Sequence, residues 1–407
     1  MKSLLKKIIP RTLINFFWHK PLAIAACVRY GFPAKKMIIV GIAGTKGKTS
    51  TAYAISHILD EAKKPNALIC TAAIKINGQE SPNTVKMTSP NPWFLNRFLS
   101  EAYEKGCRYA IIEVSSHAID QHRVLSIPFA VVVLTNLYPD HLEYHKDALE
   151  YQQIHRRIVS GETTLILNAE DTVTRKFRAT PKQKIYVTQE GPLAKTLNET
   201  EIPLMAGVQR FNLYAAAATA LFLGCAPETI SHALQSLTAI PGRFEHIKEG
   251  QPFDVIVDYA HSPVSLTAFF QSLAVDSHKP VIAVFGACGE RDPHTRAEMG
   301  SILDQFADII IVTNDDPYGE DPNKIAAELI GGIPHKTEGG NLYTILDRKE
   351  AIAKALSLAS PYATVCILGK GAEQFQVFNH TKIPWDDRQV VRELLRLTNY
   401  RAQTQGQ

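Results

Sequence analysis

The sequence predicts an α/β protein with a central P-loop domain, built on a parallel-rich sheet, and a C-terminal Rossmann-like doubly wound domain. Short apolar, β-prone runs recur along the chain with helix-length segments between them, which is the pattern of parallel sheets. One of these runs enters a glycine-rich turn that opens a helix. A second alternation of strands and helices begins after Pro241-Gly242. We therefore expect domains at 37–240 and 241–407, preceded by a distinct segment at 1–36.

Composition narrows the class of protein before any motif is considered. The 407 residues are 45% hydrophobic and 21% charged, the balance of a globular protein rather than a disordered or fibrous one. The net charge of +4 and the lack of a long Lys/Arg run argue against nucleic acid as a partner. No uninterrupted run of about 18 apolar residues is present, so a membrane-spanning helix is not expected.

The first 36 residues differ from the rest because cationic and apolar side chains are interleaved there. Residues 2–20 hold five Lys or Arg and nine large apolar side chains. This basic amphipathic pattern fits peripheral contact with an anionic membrane, docking on a partner, or a helix packed on the main body. Ile24-Ala25-Ala26-Cys27 resembles a lipoprotein cleavage box, but His19-Lys20-Pro21 interrupts the apolar run, so export is not expected.

The six cysteines are scattered, with neither a CxxC pair nor a zinc-ligand spacing. Most of them lie in apolar segments with strand or helix character. We therefore expect buried, reduced thiols, as in a reducing cytoplasm, rather than disulfides or metal ligands.

The strongest motif follows the apolar run 37–40 and opens a helical pattern. Small residues there let backbone N–H groups close around phosphates, and the helix N-terminus adds partial positive charge. Lys48 is predicted to reach the β- and γ-phosphates, and the Thr49 hydroxyl to ligate Mg²⁺. Ile42 departs from the strict P-loop pattern, which has glycine there. The nucleotide-binding residues predicted from this loop are Gly44, Thr45, Lys46, Gly47, Lys48, Thr49 and Ser50.

Two further apolar runs end in polar side chains. The run 109–112 leads into Glu113-Val114-Ser115-Ser116-His117, and the run 130–134 leads into Thr135-Asn136-Leu137, with Asp140-His141 shortly after. An acid directly after a parallel strand lies at the sheet edge where ligands bind, and carboxylate oxygen suits Mg²⁺. Taken alone, each such residue is more often a loop or cap residue, but the neighbouring phosphate-binding loop favours a functional site.

Together with later motifs, these segments resemble the Mur ligases, ATP-dependent enzymes that add amino acids to peptidoglycan precursors. The closest similarity is to the tripeptide synthetases of that family. The later motifs occur in the family's order: Phe211-Asn212, Pro241-Gly242-Arg243-Phe244-Glu245, Asp258-Tyr259-Ala260-His261-Ser262-Pro263, Gly286-Ala287-Cys288-Gly289-Glu290-Arg291-Asp292 and Gly369-Lys370-Gly371-Ala372-Glu373. The resemblance extends from residue 37 to the end of the chain.

The resemblance implies a reaction through an acyl phosphate. The γ-phosphoryl group of ATP passes to the carboxylate of a UDP-N-acetylmuramoyl dipeptide, and the amine of a free amino acid then displaces phosphate. ATP and Mg²⁺ are the implied cofactors, the dipeptide precursor and the amino acid are the implied partners, and a cytoplasmic monomer is expected.

The resemblance also implies site residues. The expected catalytic residues are Lys48, Glu113, His141, His155 and Arg243. The expected metal ligands are Thr49, Glu113 and His141. Beyond the P-loop, the expected ATP site consists of Asn136, Asn212, Arg243, Asp258 and His261. The expected substrate-binding residues are Thr88, Ser89, Ser115, His117, Arg123, Arg291, Asp315, Asp316, Tyr318, Gly369 and Glu373.

Three departures from the family pattern carry information. The position of a metal-bridging carbamylated lysine is His155, which forms no bidentate anion but can ligate metal as a neutral imidazole. Ala215 replaces the second asparagine usual after Phe-Asn, and Ala372 replaces the histidine before Glu373. Only 36 residues precede the ATP domain, so we expect the family's N-terminal UDP-binding domain to be missing. Either the short basic segment and the central domain hold the uridine end, or the substrate is not UDP-linked.

A fourth departure concerns the incoming amino acid. Relatives that add meso-diaminopimelate carry Asp-Asn-Pro-Arg, whose arginine holds the distal carboxylate. This chain has Asp315-Asp316-Pro317-Tyr318 instead. A carboxylate without the arginine favours a distal amine, as in L-lysine or ornithine.

Two other functions remain open from the sequence. One is another superfamily ligase, similar to folylpolyglutamate synthase, which also lacks a UDP domain. The other is a non-catalytic subunit that binds ATP and the wall precursor, which His155 would permit. A GTPase or simple kinase is not expected, because the chain has no Asn-Lys-x-Asp element.

Overall fold

The chain folds into two compact units, Met1–Thr238 and Ala239–Gln407. The structure, a computed structural model, describes residues 10–85, 87–138, 144–198, 202, 204, 209–274 and 279–405. Each unit is built on a mainly parallel sheet with helices in the connections, so the predicted α/β class is confirmed. Among the described residues, no helix has both the length and the apolar character needed to cross a membrane.

A helical segment opens the described part of the first unit. It consists of α1 (Arg11–Ile14), a π-helical turn (Asn15–His19), α2 (Lys20–Arg29) and a 3₁₀ turn (Pro33–Lys36). The buried residues of α2 are Ala23, Ala26 and Cys27, whose small side chains allow close packing. Gly31, with φ +66°, ends the helix, and the Phe32 N–H donates to the Cys27 carbonyl at 2.9 Å.

An eight-stranded sheet forms the centre of the first unit. Its strands are β1 Ile38–Ala43, β2 Asn66–Ile69, β3 Ala73–Ile76, β4 Gln79–Pro82, β5 Tyr109–Glu113, β6 Phe129–Leu134, β7 Thr164–Asn168 and β8 Gln183–Val187. Their order is β4-β3-β2-β5-β1-β6-β7-β8, with β3 antiparallel to both its neighbours and all other pairs parallel. Because β5 and β6 flank β1, the loops after these three strands meet at one edge of the sheet.

The helices of the first unit cover this sheet. They are α3 Lys48–Glu61, α4 Pro92–Glu104, α5 Ser116–Asp120, α6 Ala148–Arg156, α7 Thr172–Arg175, α8 Pro192–Asn198, α9 Gln209–Phe222 and α10 Pro227–Ser236. Side-chain caps begin several of them: Asn91 accepts from the Phe94 N–H, and Asp147 accepts from the Glu150 N–H. The alanine-rich α9 packs against α3, the helix that follows the glycine-rich loop.

The second unit has a six-stranded sheet and a hairpin. The sheet strands are β9 Glu245–His246, β10 Asp254–Asp258, β11 Val281–Phe285, β12 Ile309–Val312, β13 Leu342–Thr344 and β14 Thr364–Leu368, and the hairpin strands are β15 Phe375–Phe378 and β16 Thr381–Pro384. The sheet order is β13-β12-β11-β14-β10-β9, parallel except for β9. The helices are α11 Pro263–Ala274, α12 His294–Phe306, α13 Pro322–Ile330, α14 Arg348–Leu358 and α15 Asp387–Gln405.

Both faces of this second sheet are buried, which confirms the doubly wound prediction. One apolar cluster joins Ile256, Phe285 and Val312 to α11, α12 and α13. The other joins Val257, Val284 and Ile311 to α14 and α15. Alternate residues of each strand therefore contribute to opposite cores, as a period of two along a strand requires.

The strands of the second unit and the state of the cysteines agree with the predictions from the sequence. The apolar runs at 255–257, 281–285, 309–312 and 365–368 lie in β10, β11, β12 and β14, and they form the second alternation of strands and helices expected after Pro241-Gly242. All six cysteines are free, and all are buried except the half-buried Cys288.

Candidate functional site

The glycine-rich loop between β1 and α3 needs glycine at two positions. Gly47 precedes α3 with φ +83°, and a Cβ atom there would lie 2.2 Å from Oδ1 of the buried Asn212. Gly44 has φ +125°, and its Cβ would lie 2.4 Å from Thr135 Oγ1. The backbone can therefore take this path only without side chains, and it leads directly into the N-terminus of α3, where anions are favoured.

Asn136, at the end of β6, fixes the backbone of this loop. Its Oδ1 accepts from the Lys46 N–H at 2.9 Å, and its Nδ2 donates to the Lys46 carbonyl at 3.1 Å. The Thr135 hydroxyl donates to the same carbonyl at 2.6 Å. Asn136, predicted as an ATP-binding residue, thus acts here by positioning the loop.

Lys48 lies within the loop that it is predicted to serve. Its ammonium donates to the carbonyls of Gly44 and Thr45 at 2.9 and 2.8 Å. A cation is therefore held at the mouth of the loop, beside the start of α3, where it adds to the positive potential of the helix terminus.

Glu113, the last residue of β5, joins the loop to the neighbouring strand ends. It is 2% exposed, and its Oε2 accepts from the Thr49 hydroxyl at 3.0 Å and from the Thr71 N–H at 2.7 Å. A carboxylate oxygen beside a threonine hydroxyl is a donor pair that fits Mg²⁺. His141, the third predicted metal ligand, lies outside the described residues, as does Asp140.

Five aromatic side chains form a row from the end of β5 to the loop. Consecutive ring centroids are 4.1, 4.9, 5.3 and 4.6 Å apart in the series His117, Tyr144, His145, Tyr151, His155. The Tyr151 hydroxyl hydrogen-bonds the Thr45 hydroxyl at 3.0 Å. The row therefore connects the predicted substrate residue His117 to the phosphate-binding loop.

His155, at the far end of the row, is a buried neutral base. Its Nδ1–H donates to the Tyr151 carbonyl at 2.8 Å, while its buried Nε2 has no hydrogen-bond partner among the described residues. Burial, reinforced by the positive charge of Lys48, lowers the pKa of His155 to about 4. The ring is therefore uncharged at neutral pH and offers an Nε2 lone pair, which fits the predicted role of a neutral ligand.

We expect His155 to remain unprotonated down to about pH 5, since its pKa is about 4. In the unfolded chain the same side chain takes up its proton near pH 6.5. The free energy of unfolding should therefore fall as the pH is lowered from about 6.5 to about 4. The fall should be about 3 kcal/mol larger than in His155→Gln. Histidine-labelled NMR spectra, assigned with that variant, report the titration. A ring that titrates near pH 6.5 would contradict this account of the site.

The predicted substrate residues of the first unit converge on the end of β5. The Ser89 hydroxyl donates to the Glu113 carbonyl at 2.8 Å and accepts from the Ser115 N–H at 3.0 Å. Arg123 donates to the Ser89 carbonyl at 2.8 Å, and the Thr88 hydroxyl lies 3.0 Å from that of Thr71. Ser89 is fully buried and holds the Ser115 N–H, so the structure shows it positioning Ser115, and its contact with substrate stays a prediction.

In the second unit, Asp258 organises the loop that carries Arg243. Its carboxylate accepts from the N–H groups of Phe244 and Ala260 at 2.7 and 2.8 Å. The Arg243 guanidinium lies 4.3 Å from the centre of the Tyr259 ring, a cation–π contact. His261 is exposed, with Nδ1 2.7 Å from the Tyr259 carbonyl. Three predicted ATP residues, Arg243, Asp258 and His261, are thus close together, whereas the exposed Arg291 has no described contact with them.

Lys370 forms a buried charge cluster at the end of β14. Its Nζ lies 3.3 Å from Asp315 Oδ1, 3.0 Å from Asp316 Oδ1 and 2.8 Å from Glu373 Oε2. Burial alone would lower the pKa of Lys370, but the three carboxylates outweigh it and raise the pKa well above its usual value. Burial also raises the pKa of Asp315, despite the neighbouring ammonium.

This cluster shows what Asp315 and Asp316 face in the structure. They are 2% and 1% exposed, and the amine that they hold is the chain's own Lys370. Their contact with a substrate amine stays a prediction. Gly369 is needed beside them, because a Cβ at its φ of +110° would lie 2.6 Å from Asp315 Oδ2. Tyr318 is half-exposed, and its N–H donates to the Val377 carbonyl of β15 at 3.2 Å.

Several residues that build these sites have no role predicted from the sequence. Lys370 and Tyr259 lie inside the motifs of the second unit, and Thr135 directly precedes Asn136. A lysine flanked by two glycines after a buried strand could have suggested a buried cation for the acidic motif. No local sequence signal marks Thr71 or Tyr151, since their contacts arise from the tertiary fold.

Two family models match the chain. The Mur ligase middle domain matches residues 42–220, and the glutamate ligase domain of Mur ligases matches residues 242–371. Among curated proteins, the UDP-N-acetylmuramoyl-L-alanyl-D-glutamate–2,6-diaminopimelate ligase of Aquifex aeolicus is 35% identical, covering 93% of this chain and 81% of its own. The ligase of the same name from Geobacillus kaustophilus is 33% identical, covering 92% and 82%.

Solved structures of Mur ligases and of related ligases share the fold of this chain. A structure of a diaminopimelate ligase of this kind has a TM-score of 0.59 at 25% identity, covering 96% of this chain and 83% of its own. A Mycobacterium tuberculosis folylpolyglutamate synthase has a TM-score of 0.67 at 17% identity, covering 86% and 92%, a likeness of fold alone. With family models matched in both units and relatives of this identity along nearly its whole length, the chain belongs to the Mur ligase family.

Proposed function

We propose that the protein joins a free amino acid to the peptide carboxylate of a UDP-N-acetylmuramoyl dipeptide and converts ATP to ADP and phosphate. Mur ligases are ATP-dependent ligases of peptidoglycan precursors, and the relatives described above are named for such a dipeptide and diaminopimelate. The observation that carries the proposal is the contact of the Thr49 hydroxyl with Glu113 at the phosphate-binding loop.

The proposed reaction has two steps. A carboxylate oxygen of the dipeptide attacks the γ-phosphorus of ATP, the bond from that phosphorus to the bridging oxygen of ADP breaks, and the products are ADP and an acyl phosphate. The amine of the amino acid then attacks the acyl carbon, loses its proton, and expels phosphate. The first step brings an anionic carboxylate to the anionic γ-phosphate, and the second develops negative charge on the acyl oxygen and the leaving phosphate. Cationic groups at the loop therefore lower both barriers.

Residues of this chain account for the main requirements of phosphoryl transfer. The loop N–H groups and the N-terminus of α3 bind the phosphates, and Lys48 binds the transferred group. Thr49 and Glu113 would hold Mg²⁺, with His155 or His141 as candidate further ligands, and the ion would neutralise charge on the phosphates. Arg243 remains a predicted phosphate ligand. Ser115 and His117, at the start of α5, are the proposed contacts to the muramoyl dipeptide.

For the amino acid, we propose a side chain that ends in an amine without a carboxylate, such as L-lysine or ornithine. Two features of the second unit support this choice. The cluster of Asp315, Asp316 and Glu373 carries three carboxyl groups against the single ammonium of Lys370, which leaves a negative excess. Tyr318 stands where an arginine would hold a distal carboxylate, so a positive group for that carboxylate is not supplied there.

An acceptor panel tests the reaction and the amino acid together. Phosphate release is measured with ATP, the UDP-muramoyl dipeptide, and L-lysine, ornithine or meso-diaminopimelate. We expect faster release with lysine or ornithine, and a shift towards diaminopimelate in Tyr318→Arg, because a guanidinium binds a carboxylate in bidentate fashion. Tyr362→Arg, a matched change at an exposed tyrosine that also has positive φ, should leave the preference unchanged.

The outcomes separate the two parts of the proposal. Clear preference of the unmodified protein for diaminopimelate would overturn the assignment of the amino acid and leave the ligase reaction in place. Dipeptide-independent turnover with a folate and glutamate would favour the folylpolyglutamate-synthase-like alternative. Nucleotide binding without turnover on any acceptor would favour the non-catalytic subunit.

A further inference from the structure

The outward face of the first helical segment, residues 11–29, is apolar. Phe16, Phe17 and Trp18 are 54%, 70% and 65% exposed, and four more large apolar side chains are exposed there: Leu13, Leu22, Ile24 and Val28. Trp93, at the start of α4, is also exposed, and its ring centroid lies 6.4 Å from that of Tyr30. Large exposed apolar side chains grouped in this way mark an interaction surface rather than ordinary solvent-facing helix.

The charges that this segment and its flanking residues carry are all of one sign. The first 36 residues contain eight Lys or Arg and no Asp or Glu. In the described part, Lys20 Nζ lies 5.0 Å from the centre of the Phe16 ring, and the Arg29 guanidinium lies 5.5 Å from that of Tyr30. Cationic groups thus sit beside the exposed aromatic rings, the arrangement in which apolar stems and rings enter a bilayer while charged groups reach lipid phosphates.

The opposite face of the segment is tied to the first unit. The Asn15 Nδ2 donates to Asp120 Oδ2 at 2.7 Å, and Arg11 Nε lies 3.2 Å from the same oxygen. Ala23, Ala26 and Cys27 are buried where α2 packs on α4. The polar and small side chains are therefore used to hold the helix on the protein, and the large apolar ones are left facing outwards.

We propose that residues 11–29 form an in-plane anchor that holds the protein on an anionic phospholipid surface. Charge complementarity selects this occupant: a segment whose own charges are all cationic matches acidic headgroups, whereas a second copy would bring two basic segments together. Binding has two sources in this anchor: apolar side chains buried just below the headgroups, and cationic side chains among the lipid phosphates. Among the described helices, none could cross the membrane. An in-plane helix lies along the membrane surface and does not have to span it.

Vesicle flotation of the full-length protein tests the anchor. We expect binding to vesicles of phosphatidylcholine with phosphatidylglycerol to exceed binding to phosphatidylcholine alone by about tenfold or more, and to weaken as salt is added. The double variant Phe17→Ser/Trp18→Ser should lose at least about tenfold in binding to the anionic vesicles. Phe222→Ser, at an exposed phenylalanine at the end of α9, is the matched control and should bind like the unmodified protein.

Two further measurements keep the proposal falsifiable. The fluorescence of Trp18 should shift to shorter wavelength on anionic vesicles, and Trp18→Phe should lose most of this shift but retain binding. ATP turnover in solution should be equal for the double variant and its control, which shows that both fold. Equal binding to both vesicle types, or binding untouched by the double variant, would overturn the anchor. So would a dimer that the double variant dissociates, because a second copy would then cover the face.

Discussion

Lys48→Ala is expected to lower precursor-dependent phosphate release by on the order of 10²–10³ in kcat. The ammonium lies against the carbonyls of Gly44 and Thr45, at the mouth of the loop that binds phosphates. Its charge is needed most as the γ-phosphoryl group moves to the carboxylate, because the spread of negative charge is then greatest. Initial rates at saturating ATP, dipeptide and amino acid measure the effect on kcat.

The control for this variant is Lys105→Ala, an exposed lysine that follows α4 and pairs with Glu101. It should retain the rate of the unmodified protein. Thermal unfolding of both variants checks that the loop still folds, since the Lys48 ammonium also bridges two carbonyls. A Lys48→Ala variant that folds and keeps its rate would show that Lys48 has no part in phosphoryl transfer.

Lys370→Met is expected to have the largest effect on stability, about 3–5 kcal/mol. The substitution keeps the volume of the side chain but leaves Asp315, Asp316 and Glu373 without their shared cation. Ionised carboxyl groups in a buried site are strongly disfavoured, so they must take up protons or expose themselves. The loss should therefore shrink as the pH is lowered, because protonated carboxyls no longer repel one another.

Denaturant unfolding followed across a range of pH measures this loss. Lys324→Met, at a lysine on α13 whose side chain is 67% exposed, is the matched control and should change stability by less than about 0.5 kcal/mol. A loss that is equally large at all pH values would show that packing, rather than charge, is the role of Lys370.

Local sequence patterns predicted the fold and the glycine-rich loop of the first unit. A buried parallel strand and a glycine-rich turn each have a residue pattern that can be recognised without knowledge of the rest of the chain. The run at 37–40 and the glycines at 44 and 47 predict β1, the turn and α3 without any knowledge of their neighbours. The β3–β4 hairpin was not anticipated. β4 is exposed and weakly apolar, so its pairing depends on the rest of the sheet.

The identity of site residues was less predictable than the existence of the site. The apolar run 109–112 placed Glu113 correctly at the end of a strand, and a motif singled out Asp315, which follows β12. They did not reveal which groups such side chains face. Glu113 meets Thr71 because β2 and β5, which are distant in sequence, are neighbours in the first sheet. Asp315 meets Lys370 although β11 lies between β12 and β14 in the second sheet, because the segments that follow those two strands come together at one end of it.

The contacts of Asp120 have a consequence for how this chain can be altered or recombined. Burial would raise the pKa of Asp120, but Tyr144, Arg11, Asn15 and Arg157 together lower it. Two of these four partners come from the first helical segment, while Asp120 itself ends the helix that carries His117. The segment is therefore not a module that can be exchanged between homologues by itself. A chimera that replaces residues 11–29 must bring matching residues at 120 and 144, or it will leave an ionised carboxylate short of partners next to the proposed substrate site.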